Sequence, residues 1–149
     1  MCRRERHPPR NADLVSLPRA LCGDHGRLPL SHVTGIYASP MSWLVCGDRV
    51  MASLELAGSR AERRRGLLGR DGLEGAILLK PAGRVHTVGM RFAIDVAHLD
   101  SEMRVLHTTT MDRNRIGRHV RGSRSILEAE SGSFERWGLQ VGDELTVRE

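Results

Sequence analysis

The chain has 149 residues, 40% of them hydrophobic, which suffices for one domain with at most a tail beside it. Its formal net charge of +5, from 23 basic and 18 acidic residues, is too modest to mark a nucleic-acid binder by itself. No apolar run approaches the ~18 residues of a membrane helix, and a 3% aromatic content leaves the core to Leu, Val, Ile, Met and Ala.

The positive charge is almost wholly arginine, with Lys80 the one lysine. We read that skew as a codon effect of a G+C-rich genome, not as a binding signature. Residues 1–40 carry six arginines against three acids, whereas residues 41–149 carry 17 basic against 15 acidic groups. The part expected to fold is therefore nearly neutral, which argues against nucleic acid as a partner. Cys2, Cys22 and Cys46 show no metal spacing and no C-x-x-C pair, so reduced thiols of a cytoplasmic protein are expected. The first residues are basic but lack the apolar run of a secretory signal.

In chain order, five of the six prolines fall at or before Pro40, in a stretch without periodicity. Residues 1–41 are thus expected to be a disordered leader, or a segment upstream of a true start at Met41, with the domain spanning 42–149. Residues 43–46 and 49–57 flank Gly47-Asp48, a two-residue hairpin signal. Val50, Ala52, Leu54 and Leu56 alternate with Met51, Ser53 and Glu55, as in a half-buried strand. Ser59-Arg60-Ala61-Glu62 is a capping box, and the helix it opens is predicted to run through Leu68 and stop at Gly69 and Gly72. Ala76-Ile77-Leu78-Leu79 is predicted to be a strand buried on both faces. Pro81-Ala82-Gly83 turns the chain, and residues 85–87 and 90–99 read as strand, with Gly89 as a bulge. Within that strand Ile94, Val96 and His98 share one face and Asp95, Ala97 and Leu99 the other. A turn at 100–103 leads to a strand from Arg104, then to a polar, arginine-rich loop over 111–124. Ser125 to Glu130 is predicted strand. Ser133 caps a single helical turn closed by Gly138, and Gly142-Asp143 turns into a last strand over 144–148.

Short strands at close spacing with one short helix and a single-turn helix predict a mainly β domain, a compact antiparallel barrel-like or rolled sheet. No βαβ alternation or internal repeat is visible.

Three blocks carry a family resemblance. Leu54-Glu55-Leu56-Ala57 precedes Ser59-Arg60-Ala61-Glu62-Arg63 and Gly66-Leu67-Leu68-Gly69-Arg70. Gly89-Met90-Arg91-Phe92-Ala93-Ile94-Asp95-Val96 closes at Leu99-Asp100. Leu127-Glu128-Ala129 with Gly132 precedes Gly138-Leu139-Gln140-Val141-Gly142-Asp143. In this order, over about residues 50–148, the chain resembles the DUF192 family. The resemblance implies a small β-rich fold and no established reaction. Where many members have Trp-Met-Lys-Asn-Thr, this chain has His86-Thr87-Val88-Gly89-Met90, and Ala93 stands where proline is common; specificity is expected to differ there.

Chemistry concentrates between His86 and Asp100. His86 with Asp95 could form a general-base pair, although no nucleophile elbow is nearby and Thr87 is poorly suited to that role. Asp95 in an apolar strand needs a partner, for which Arg70 and Arg91 are the candidates. Glu128 shares a strand face with Glu130, and the pair could serve a glycosidase or simply face solvent. His86, His98 and His107 lack the spacing of a known metal motif, so neither metal nor cofactor is expected. The leading function is a non-catalytic small-ligand-binding or accessory module, a monomer with a small ligand or a protein as partner. Its pocket is expected where Arg70, His86, Thr87, Arg91, Asp95 and Glu128 meet. The alternatives are a small hydrolase using His86 and Asp95, and a weak nucleic-acid binder using Arg63, Arg64 and Arg65.

Overall fold

The computed structural model describes residues 42–149. The expected leader, with Cys2 and Cys22, lies outside the described residues. β1 (Ser42–Cys46) and β2 (Arg49–Ala57) pair as a hairpin across Gly47-Asp48. α1 (Arg60–Arg65) opens with the predicted capping box. Glu62 N–H donates to Ser59 Oγ at 3.1 Å, and Ser59 N–H donates to Glu62 Oε2 at 2.8 Å. The helix stops at Gly66, a turn earlier than expected. Gly66 adopts φ 47°, a left-handed value that a side chain resists, and Leu67 then turns into the core at 2% exposure.

The remaining elements are β3 (Ala76–Leu79), β4 (Ile94–Leu99), β5 (Val105–Met111), β6 (Ser125–Glu130), α2 (Ser133–Trp137) and β7 (Leu145–Arg148). They form one seven-stranded sheet in the order β5-β4-β6-β3-β2-β1-β7, curled into a half-barrel. Its two edges meet at one corner. Arg104 and Glu144 form a bridge, Gly142 N–H donates to Val105 O at 2.8 Å, and Leu145 N–H donates to Met103 O at 3.0 Å. The mainly β, rolled-sheet expectation is what the structure has.

Two expectations need correction. Every strand pair is antiparallel except β2 with β3, which run parallel. Parallel neighbours require a crossover, and α1 with the segment to Gly75 supplies it, so one β-α-β unit is present after all. Residues 85–93 form no continuous strand; a single bridge joins His86 to Ile116. The cause is Thr87, whose backbone and hydroxyl bond the 112–115 loop instead of a neighbouring strand. This segment is a strap laid over the sheet.

The sheet carries two apolar layers. Leu44, Leu54, Leu78, Leu99 and Leu127 pack inside the curl against Phe134 of α2. Ile77, Leu79, Ile94, Val96 and Ile126 pack outside it against Leu67 and against Val85 and Met90 of the strap. Every residue of β3 and β4 is buried, as is all of β6 except Glu130. Cys46 is buried and disulfide-bonded, not a reduced thiol, so cysteine usage no longer argues for a reducing compartment. Among the described residues no helix is long and apolar enough to cross a membrane.

Gly75 leads the parallel strand with φ 84°, and a Cβ there would overlap Ser53 Oγ and its carbonyl. Gly75→Ala is expected to lower stability by about 3 kcal/mol, from the left-handed backbone and the overlap together. Urea unfolding measures this; a wild-type midpoint would show that the close approach of β2 and β3 is unimportant.

Candidate functional site

The site begins with a carboxyl in an all-apolar setting. Glu128 lies mid-strand in β6, paired with Val96 of β4 on one side and Ile77 of β3 on the other. Alternation along β6 puts Leu127 and Ala129 in the inner layer and turns Glu128 outward with Ile126. The outward face is not solvent, because Gly66, where α1 ends, covers it: a Cβ on Gly66 would sit 3.8 Å from Glu128 Oε2. Glu128 is only 4% exposed. It makes no side-chain ion pair or hydrogen bond with any described residue, yet no enclosed side-chain oxygen or nitrogen among the described residues lacks a partner. Its carboxyl therefore opens onto a cavity of about 270 Å³.

Arg63, Arg64 and Arg65 of α1, Arg84 just before the strap and His86 within it also line that cavity. Arg63 spends its Nη1 on the carbonyls of Gly58 and Lys80. Arg64, Arg65 and Arg84 have no hydrogen-bond or ion-pair partner among the described residues. Burial alone pushes the Glu128 pKa up from 4.5 to about 7, because removing water penalises the ionised form. A buried group that changes charge near neutrality, in a cavity that arginines also line, marks the candidate site.

Only His86 and Glu128 of the expected six come together here. Asp95 faces the opposite layer, where Thr110 Oγ1 donates to its Oδ1 at 2.7 Å and Phe134 N–H donates to its Oδ2 at 3.1 Å. α2 has Gly132 at its N-cap and no side-chain cap of its own. Asp95 supplies the missing acceptor from β4, and Ser133 is not the cap that the sequence suggested. The expected Asp95 pairings with His86, Arg70 or Arg91 are not formed. Arg70 instead grips Glu55 with two hydrogen bonds of 2.8 and 2.7 Å, which hold the Glu55 carboxyl below its ordinary pKa. Arg91 pairs with Asp71 at 2.6 Å on the open surface, a contact of small energetic consequence. Thr87 is fully buried; its hydroxyl donates to Asp112 O at 2.6 Å and accepts from Arg115 N–H at 2.9 Å. It clasps the strap to the loop.

Two other hollows are less eligible. A groove of about 820 Å³ beside β2 includes Glu55 and Arg70, whose charges already satisfy each other. A hollow of about 440 Å³ under the 112–120 loop holds His98 and His107. His98 Nδ1 lies 3.1 Å from Ser123 Oγ. Burial, then the neighbouring His107 and His119, pushes the His98 pKa down. His86 lies at the other cavity, so the three histidines do not converge; among the described residues no group of three metal-ligating side chains does.

The family description that matches residues 44–147 is DUF192, "Uncharacterized ACR". The chain belongs to the DUF192 family. Two solved structures share the fold. One is a protein of unknown function from Novosphingobium aromaticivorans DSM 12444, at 19% identity and TM-score 0.59, covering 71% of this chain and 83% of that one. The other is a candidate transcription regulator from Sinorhizobium meliloti 1021, at 18% identity and TM-score 0.54, covering 71% of this chain and 91% of that one. At such identities the likeness speaks for the fold alone. No curated protein matches the chain. Within this DUF192 domain, the first block's Gly66 and the third block's Glu128 meet at the cavity, while Asp95 of the second anchors α2.

The arginine wall was the part that sequence reasoning missed. Arg63, Arg64 and Arg65 entered only as the basis of the nucleic-acid alternative, and Arg84 carried no signal. The available clue was Glu128 itself, a carboxylate flanked by Leu127 and Ala129 in a strand otherwise written for burial.

Two outcomes follow. Asp95→Ala leaves the Phe134 amide and the Thr110 hydroxyl without their acceptor and is expected to cost about 2–3 kcal/mol in urea unfolding; an unchanged midpoint would refute the cap. The unfolded chain releases the Glu128 proton near 4.5, whereas the folded protein keeps it to about 7. The folded state thus binds more protons in that window, so this group's contribution to stability falls as pH rises through it, by roughly 3 kcal/mol in all. Glu128→Gln should abolish that loss, making the variant more stable than wild type at pH 8 and comparable at pH 4.5. Thermal unfolding across pH tests it, and parallel curves for both proteins would contradict the assignment.

Proposed function

We propose that this DUF192 protein is a non-catalytic small-ligand-binding or accessory module whose site is the cavity over Glu128. The observation that carries the reading is the Glu128 carboxyl, buried at 4% exposure and without a partner among the described residues, opening onto a cavity lined with arginine. Leaving a polar group so placed is costly unless something compensates it, and a bound ligand would.

The hydrolase alternative needs His86 and Asp95 within hydrogen-bond reach. They sit on opposite sides of the sheet, His86 at the outer cavity and Asp95 bonded to Phe134 of the inner layer. A paired-carboxylate mechanism needs two acids in one cleft, and among the described residues Glu128 is the one acid lining this cavity. A nucleic-acid role would rest on exposed arginines such as Arg64 and Arg113, without aromatic side chains interleaved for stacking.

A thermal-shift screen of neutral sugars, amino acids, nucleosides and small anions tests the binding reading. At least one class should raise the melting temperature with concentration, as a ligand of the native state must. Arg84→Ala, a change at an exposed position just before the strap, should remove the shift. No shift with any class would overturn the proposal and leave a protein partner as the remaining role.

A further inference from the structure

Resting on that binding reading, we propose that the ligand is a small hydroxylated phosphomonoester, its phosphate at the arginines and its hydroxyls against Glu128. The cavity has two ends with different unmet valences. At the rim, the guanidiniums of Arg64, Arg65 and Arg84 have no partner among the described residues. At the floor, the Glu128 carboxyl has none either. The simplest way to satisfy both would be an ion pair between them, and the fold does not make one. Both ends remain available to a third party.

The chemistry of that party is constrained from each end. Several exposed guanidiniums lining one cavity match the multiple acceptor oxygens of a phosphate. They repel a cation, so an amine cannot be the group that reaches Glu128 even though a carboxylate alone would welcome it. A second anion on the floor would meet Glu128 itself. A neutral hydroxyl suits the floor, because it donates to the carboxylate or accepts from the carboxylic acid. At about 270 Å³ the cavity falls just below the roughly 300–1,000 Å³ of drug-sized sites, a size that suits a single sugar phosphate or glycerol phosphate. His86 stands at the same cavity and offers one more ring N–H to the anion.

Isothermal titration of the full chain with inorganic phosphate, glucose, glucose 6-phosphate and glycerol 3-phosphate tests the assignment. The phosphomonoesters should bind at least tenfold more tightly than phosphate or glucose. Arg84→Ala and Arg64→Ala, both at exposed positions, should each weaken phosphomonoester and phosphate binding at least tenfold. Glu128→Leu should cut the phosphomonoesters to the affinity of inorganic phosphate while leaving phosphate itself unchanged, a split that a merely misfolded pocket would not give. Glucose binding as tightly as its phosphate, with no response to Arg84→Ala, would overturn the phosphate assignment and leave the binding reading intact. No binding of any probe, together with a silent ligand screen, would overturn both. Glu128→Leu retaining full preference for the phosphomonoesters would remove Glu128 from the site.

Discussion

The double burial of β3, β4 and β6 governs this structure. Strands at the centre of a curled sheet, with α2 on one face and α1 and the strap on the other, have no solvent side. Any polar side chain they carry must be satisfied within the protein or by something that enters it. The central strands carry two buried carboxylates, Asp95 and Glu128, and the fold treats them oppositely.

Asp95 is satisfied by the architecture. It faces inward and holds both Thr110 of the neighbouring strand and the first turn of α2. The helix begins with Gly132, which has no side chain to cap it, and a carboxylate one strand away takes that place. The acid at the centre of the second family block thus fastens a helix to a sheet. Glu128 is not satisfied by the architecture. It faces outward beneath the end of α1, where Gly66 brings backbone close to its carboxylate and nearby arginines leave it unpaired. One carboxylate is bonded into the fold and the other faces the cavity; the difference is which layer each side chain enters.

The outer layer also explains why the cavity exists. α1 is short because Gly66 takes a left-handed conformation that ends it, and the chain then drops Leu67 into the core. The strap is held by Thr87 and by Gly89, whose N–H donates to Asn114 Oδ1 at 2.9 Å. Neither element is a broad lid. Together they cover the apolar neighbours of Glu128 and leave a gap over its carboxyl. The parallel β2–β3 pair is the reason α1 lies there, since the crossover between those strands must pass over one face of the sheet.

The sequence by itself determined what depends on near neighbours. The capping box at Ser59 and Glu62, the Gly47-Asp48 hairpin, the apolar run of β3 and the alternation in β4 are local signals, because their interactions span a few residues and follow the period of the backbone. The three family blocks were legible too. Only the tertiary structure decided which faces are covered. Alternation placed Glu128 opposite Leu127 without saying whether that side met water or a helix some sixty residues earlier in the chain. It could not show that Asp95 would cap α2 nearly forty residues later, that Arg70 would close on Glu55, or that Thr87 would turn an expected strand into a strap. Those partners are distant in sequence, and a polar side chain's role is set by the nearest group of opposite character once the chain has folded. His86 and Glu128 were readable as candidates; their meeting with Arg64, Arg65 and Arg84 was a property of packing alone.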